Sequence, residues 1–180
     1  MKISVVMTTY NGEKYVEEQL DSIRKQTRKP DEVIIFDDCS SDNTVEVVRE
    51  YIEGNSLIEW KIERNNTNKG WKRNFFDGIK EATGDYIFLC DQDDIWVLDK
   101  IEKMTEVLEE NKDISVLASD FSIRLEGEKR SNYQSVEKQM KETDEVERIP
   151  FDKKWYYVTR PGSTYCFRKT FFEEIENEWN

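Results

Sequence analysis

The stretch Gly84-Asp85-Tyr86-Ile87-Phe88-Leu89-Cys90-Asp91-Gln92-Asp93-Asp94-Ile95-Trp96 decides how the chain is read. Tyr86 to Cys90 is an almost unbroken apolar run, the mark of a strand buried on both faces of a parallel sheet. Acidic residues follow directly at its end. Asp91 and Asp93, one residue apart, are suited to hold a hard divalent cation such as Mg²⁺ or Mn²⁺, whose shell a bound diphosphate would complete. Such an ion stabilises negative charge growing on a diphosphate leaving group. The same letters also describe a solvated acidic turn. The position after a hydrophobic strand, with Trp96 packed behind, favours the site.

Working outward, the N-terminal part alternates strands and helices. Ile3 to Met7 is a short apolar run, Tyr10-Asn11-Gly12 supplies turn chemistry, and Val16, Leu20 and Ile23 then share one helical face. Pro30 and Asp31 close that connection, and Val33 to Phe36 form a second run ending in Asp37-Asp38. Ser41-Asp42-Asn43-Thr44 offers N-cap residues ahead of Val45, Val48 and Ile52. Leu57 to Ile62 reads as a third strand, followed by the polar loop Asn65 to Gly70. The next helix carries Phe75, Ile79 and Ala82, with Gly84 in the position of a C-terminal cap.

Beyond the acidic cluster, Ile101, Met104 and Leu108 mark a helix and Ile114 to Ala118 a strand. Residues from about 126 to 150 are charged and nearly aperiodic, the pattern of a mobile loop or loosely attached helix. Tyr165-Cys166-Phe167 is apolar again, and Phe171, Phe172 and Ile175 indicate a last helix. The alternation predicts an α/β fold: a Rossmann-like, mostly parallel sheet with helices on both faces and right-handed crossovers. A chain of 180 residues suits one such domain over 1–180. Ligands bind at the carboxyl ends of strands in this architecture, so Thr8-Thr9-Tyr10, Asp37-Asp38 and Asp91 to Asp94 should converge on one crevice.

Composition narrows the chemistry. Lys plus Arg number 27 against 39 Asp plus Glu, a net charge of -12 that argues against nucleic acid as a partner. A phosphate ester bound to so acidic a protein calls for a cation held by carboxylates. Cys39, Cys90 and Cys166 show no CxxC spacing, so neither a zinc site nor a disulfide framework is indicated and a cytoplasmic setting fits. The absence of histidine removes every mechanism that needs imidazole. No run is apolar and long enough for a membrane span or a signal peptide.

Around the acidic pair, several residues have both a binding and a plain structural reading. Asp38 can accept a hydrogen bond from a base or ribose, or close an Asx turn in Asp-Cys-Ser-Ser-Asp. Tyr10 can stack on a base or cover the rim of the first turn, and Thr8 can meet the nucleotide or end its strand. Lys69, Lys72 and Arg73 lie where a cation and free backbone N–H groups could meet phosphate, or are solvated basic residues.

Three ordered motifs, SVVMTTYNGEKYVEEQLDSI, DEVIIFDDCSSDNT and GDYIFLCDQDDIW, closely resemble family 2 glycosyltransferases of the GT-A fold. The likeness runs from residue 3 to about 110, with a fainter echo in GSTYCFRKTF, and CDQDDIW is similar to the bacterial rhamnosyltransferase-type branch. The resemblance implies inversion at the anomeric carbon, a nucleoside-diphosphate sugar donor (UDP- or dTDP-linked), Mn²⁺ or Mg²⁺ on the DxD motif, and a saccharide or lipid-linked saccharide acceptor. By the same resemblance Thr8 and Tyr10 would line the nucleoside pocket, Asp38 would bond the base, and Arg73 would belong to the donor site. Asp91 would lie near ribose or metal, and Asp93 would be the principal metal ligand.

The family's catalytic carboxylate follows the segment that GSTYCFRKTFFEEI resembles. Glu173, Glu174, Glu176 and Glu178 read instead as an exposed helix face, so no base is assigned and the C-terminal part of the family's domain is expected to be missing. The full-length protein would then work in the cytoplasm at the inner face of the membrane. Three other readings compete. A receiver domain needs one phosphoacceptor Asp and a facing lysine; a nucleotidyltransferase would show a Gly-rich basic loop where TTYNGEKY stands; a non-catalytic sugar-nucleotide-binding module fits the missing base.

Overall fold

The computed structural model describes residues 1–122, 146–147 and 161–176. Strands β1 (Ile3–Thr9), β2 (Glu32–Asp37), β3 (Trp60–Arg64), β4 (Tyr86–Asp91), β5 (Val116–Ala118) and β6 (Tyr165–Arg168) form one sheet, in the order β3-β2-β1-β4-β6-β5. β1 pairs in parallel with β2 and β4, and β2 with β3; β6 runs antiparallel to both β4 and β5. The helices are α1 (Val16–Arg24), α2 (Thr44–Gly54), α3 (Trp71–Glu81), α4 (Lys100–Glu110) and α5 (Lys169–Ile175). The mostly parallel sheet with helices on both faces is the expected one. The stretch read as a mobile loop, about 126–150, lies outside the described residues except for 146 and 147.

Strand β1 is buried along its whole length because it sits mid-sheet with a helical layer on each side. Ile3, Val5 and Met7 share one face with Val33, Ile35, Tyr86 and Phe88, packed under the apolar stripes of α1, α2 and α4. Val6, Ile34, Phe36 and Ile87 take the other face, under Phe75, Phe76 and Ile79 of α3 and Phe172 of α5. Period-two alternation along each strand thus divides the core into two layers. Among the described residues no helix is long and apolar enough to cross a membrane.

Four local expectations change. β3 starts at Trp60, not Leu57, because Leu57 closes a turn after α2 by donating its N–H to Ile52 O at 3.0 Å, with Ser56 left-handed at φ 54°. The segment Ser41 to Thr44 gives α2 no side-chain cap. Asp42 instead accepts from the backbone N–H groups of Glu13 at 3.2 Å and Thr44 at 3.1 Å, and Thr44 Oγ1 accepts from Gly12 N at 2.8 Å. β5 is shorter than the apolar run from Ile114 suggested.

Gly84 does not cap α3, which ends at Glu81 with Ala82 as its C-cap in extended backbone. Its reason is space: a Cβ there would stand 2.7 Å from Ser4 N and 3.0 Å from the Ile3 carbonyl carbon, both backbone atoms of the central strand. Overpacking against backbone cannot be relieved by a rotamer change. Gly84→Ala is therefore expected to destabilise by about 1–3 kcal/mol. Gly54→Ala, at a helical glycine with no atom within 4 Å of the new methyl, should leave stability unchanged or raise it by up to about 1 kcal/mol. Urea unfolding of the pair checks this, and equal midpoints would contradict the close-approach account.

Candidate functional site

The carboxyl ends of β1, β2 and β4 carry loops that are tied to one another by side chains. Asp37, fully buried, accepts from Thr9 Oγ1 at 3.0 Å and Ser40 N at 2.9 Å, and Asp38 N donates to Thr9 O at 2.8 Å. Asn11 takes the left-handed conformation at φ 49°, which asparagine tolerates. From there its N–H donates to Ser40 Oγ and its Oδ1 accepts from Ser41 N, both at 2.8 Å. The first two loops are thereby one unit.

Asp38 joins the third. Only 4% exposed, it accepts from Asn65 Nδ2 at 3.0 Å, Lys69 N at 2.7 Å and Gly70 N at 2.8 Å. Gly70 has φ 83°, a backbone that favours glycine, and it opens α3. Asn74, in the first turns of α3, donates to Phe36 O at 2.7 Å and accepts from Asn65 Nδ2 at 2.6 Å, pinning the helix start to β2.

The acidic loop after β4 is anchored from below. Trp96 is buried against Phe88, ring centroids 6.0 Å apart, and its backbone N–H donates to Ser22 Oγ at 3.1 Å. Lys100 is also buried, its Nζ donating to Ser119 Oγ at 3.0 Å and lying 5.1 Å from the centre of the Trp96 ring. Ser163, in the 3-10 turn Gly162–Thr164 before β6, hydrogen-bonds Asp94.

These ties bring Thr8, Tyr10, Asp38, Asp91 and Asp93 to the walls of one crevice of about 400 Å³. Trp71, Asn74 and Gln92 line it as well, and none of the three was picked out by the sequence. Asn74 could have been, as the one amide on the buried stripe of α3. Tyr10 and Trp71 stand 51% and 64% exposed, so two aromatic surfaces are left in water at this mouth. Arg73 is not among the lining residues: its Nε lies 2.9 Å from Asp77 Oδ1 and its guanidinium over the Phe76 ring. Lys69 Nζ also engages Asp77, at 2.9 Å, and Lys72 Nζ lies 5.4 Å from the centre of the Trp71 ring.

The carboxylates of α5 and the one that follows β5 fall at opposite ends of the sheet. β6 runs against β4, so α5 starts beside the beginning of β4, where Lys169 N donates to Asp85 O at 2.9 Å. Glu173, Glu174 and Glu176 therefore lie far from the crevice, and Glu178 lies outside the described residues. Asp120 follows β5, which runs with β4, and so stands at the crevice end.

Negative charge is crowded at this mouth. Burial, then the charges of Asp94 and Asp93, push the Asp91 carboxyl up to about 6. Burial also raises Asp94, against the hydrogen bond from Ser163, and burial lowers Lys100 to about 8. Hard oxygen donors in mutual repulsion fit a divalent cation. Among the described residues no group of three or more acidic, cysteine or histidine side chains is arranged to hold one, so a metal on Asp91 and Asp93 would complete its shell with ligand oxygens and water.

The family model described as Glycosyl transferase family 2 matches residues 4–175. The chain belongs to that family. It is 38% identical over 96 residues to the poly(ribitol-phosphate) beta-N-acetylglucosaminyltransferase TarS of Staphylococcus aureus, covering 52% of this chain and 16% of TarS. It is 35% identical over 119 residues to the uncharacterized glycosyltransferase MJ1057 of Methanocaldococcus jannaschii, covering 65% of this chain and 40% of that protein. The crystal structure of S. aureus TarS 1–349 in complex with UDP-GlcNAc superposes with a TM-score of 0.74 at 25% identity, over 98% of this chain and 48% of that one. The fold is GT-A. The chain spans less than half the length of each of these relatives.

Charge crowding has a consequence for stability. Between the ordinary aspartate value of 3.8 and about 6, the folded protein holds on Asp91 a proton that the unfolded chain has released. Stability therefore falls as pH rises through that window, and the penalty is complete above it. In metal-free protein Asp91→Asn should raise the melting temperature at pH 8, with the gain fading below pH about 4. Melts across pH check this; a variant less stable than wild type at pH 8 would contradict it.

Proposed function

We propose that residues 1–180 form a single nucleotide-sugar-binding domain of an inverting, metal-dependent glycosyltransferase acting on a saccharide or lipid-linked saccharide. The observation that carries this reading is the convergence of Tyr10, Asp38 and the Asp91–Asp93 pair on one crevice at the ends of β1, β2 and β4. The name of TarS and its complex with UDP-GlcNAc support a nucleotide-sugar donor. The form CDQDDIW supports the rhamnosyltransferase-like branch, for which a dTDP-linked donor is tested beside a UDP-linked one. The protein works in the cytoplasm, at the inner face of the membrane.

In this reading Asp91 and Asp93 hold Mn²⁺ or Mg²⁺. Such an ion, when bound, would supply positive charge against the diphosphate of the donor. Tyr10 stacks on the base and Thr8 lines the nucleoside pocket. A carboxylate offers about four acceptor positions. Three on Asp38 are taken by Asn65, Lys69 and Gly70, so one remains for a base N–H. Arg73 reaches the donor only by leaving Asp77.

Inversion requires a carboxylate that takes the acceptor hydroxyl's proton, help worth roughly a hundred- to ten-thousand-fold. Glu174 stands at the end of the sheet away from the crevice and Asp120 at the crevice end, and the base is left unassigned. The chain covers 49% of the TarS 1–349 chain.

Calorimetry of UDP and dTDP tests the reading. Mn²⁺ or Mg²⁺ should be required for tight binding, and EDTA should remove it. Asp93→Ala should cost at least the roughly tenfold that losing a mere outer-shell partner costs, with stability within about 0.5 kcal/mol of wild type. Equal affinity in EDTA, or unaltered binding by the variant, would show that the acidic cluster is only a turn.

A further inference from the structure

Gln92, the residue between the two aspartates, reaches across to the loop after β1. Its Oε1 accepts from Tyr10 N at 2.8 Å and its Nε2 donates to Tyr10 O at 3.0 Å. The side-chain amide thus pairs with one residue's backbone as a neighbouring strand would, across 82 positions of sequence. Only an amide presents an acceptor and a donor side by side; a carboxylate could not donate to the carbonyl and would add a further negative charge beside Asp91, Asp93 and Asp94.

Gly12 makes room for this pairing. A Cβ at position 12 would fall 2.1 Å from Gln92 Oε1 and 2.4 Å from its Cδ. Gly12 has no positive φ that would itself demand glycine, so its lack of a side chain serves the approach of Gln92. The first loop and the acidic loop are therefore fitted to each other at one point, between the residue whose ring faces the crevice and the residues read as metal ligands.

We propose that Gln92 is a positioning residue: by clamping the backbone of Tyr10 it locks the nucleoside loop and the metal loop in register, so that base and diphosphate are held as one unit. This rests on the metal-bridged nucleotide reading above. Both polar atoms of the Gln92 amide are engaged by Tyr10, so the clamp acts through the loops it joins. Its product is coupling: each loop binds its own part of the nucleotide, and the tie makes the two binding events reinforce each other.

The experiment measures the factor by which Mn²⁺ strengthens UDP binding, with uridine as a probe of the base pocket alone. It uses wild type, Gln92→Ser, Gly12→Ala and the double variant. Gly12→Ala leaves residue 92 intact and displaces its flexible end, which guards against a variant that merely misfolds. Melting temperatures confirm folding in each case.

Both single variants should lower the Mn²⁺ enhancement by about tenfold, the usual scale of coupling between sites. Uridine affinity should stay within about twofold of wild type, and the double variant should lose no more than Gln92→Ser alone. Full enhancement in either single variant overturns the proposal. So does an equal weakening of uridine and UDP, which would make Gln92 a wall of the pocket and nothing more. Wild-type protein that shows no Mn²⁺ enhancement overturns the metal-bridged reading itself, and the coupling with it.

Discussion

Two neighbouring buried carboxylates, Asp37 and Asp38, hold the mouth of the sheet in shape. Asp37 gathers Thr9 and Ser40, and Asp38 gathers Asn65, Lys69 and Gly70. Backbone N–H groups buried in loops have no ladder to satisfy them, and charged acceptors give them their strongest partners. Without the pair, the loops after β1 and β2 and the entry to α3 would each have to find another conformation. The walls of the crevice are set by these hydrogen bonds far more than by apolar packing, which ends one layer below.

The acidic loop after β4 is built on the opposite terms. Asp91, Asp93 and Asp94 stand close, and the raised Asp91 and Asp94 show that the folded chain carries this arrangement at a cost. Lys100 answers it only in part, because its own burial lowers it and its ammonium donates to Ser119. The strain of like charges is therefore local and is open to relief by a cation from solvent. A hydrogen-bonded first wall and an electrostatically unsatisfied second wall, joined at Tyr10 and Gln92, suit a ligand that has an aromatic end and an anionic end bridged to the carboxylates by a cation.

The layered α/β architecture was legible in the sequence because β1, β2 and β4 are apolar on both faces and α1, α3 and α4 carry a clear stripe. The same signal found β3 but misplaced its bounds, because its edge position leaves Lys61, Glu63 and Arg64 outward and blurs the period. Strand ends also foretold which polar clusters would meet, and Thr8, Tyr10, Asp38, Asp91 and Asp93 do line one crevice. What the sequence concealed were residues whose meaning lies in a distant partner. Gln92 reads as a spacer until Tyr10 is beside it, Gly84 reads as a cap until Ser4 is beside it, and Arg73 reads as free until Asp77 claims it. Spacing along the chain carries no trace of such pairings.

A cation-bridged site for a nucleoside diphosphate at the ends of β1, β2 and β4 is the central claim, and a crystal of the protein grown with UDP and Mn²⁺ tests it most directly. The account predicts an anomalous manganese peak bonded to Asp93, with Asp91 beside it and both phosphate groups against it, and the uracil ring over Tyr10 within reach of Asp38. A manganese peak away from Asp91 and Asp93, or a nucleotide bound outside this crevice, would contradict it.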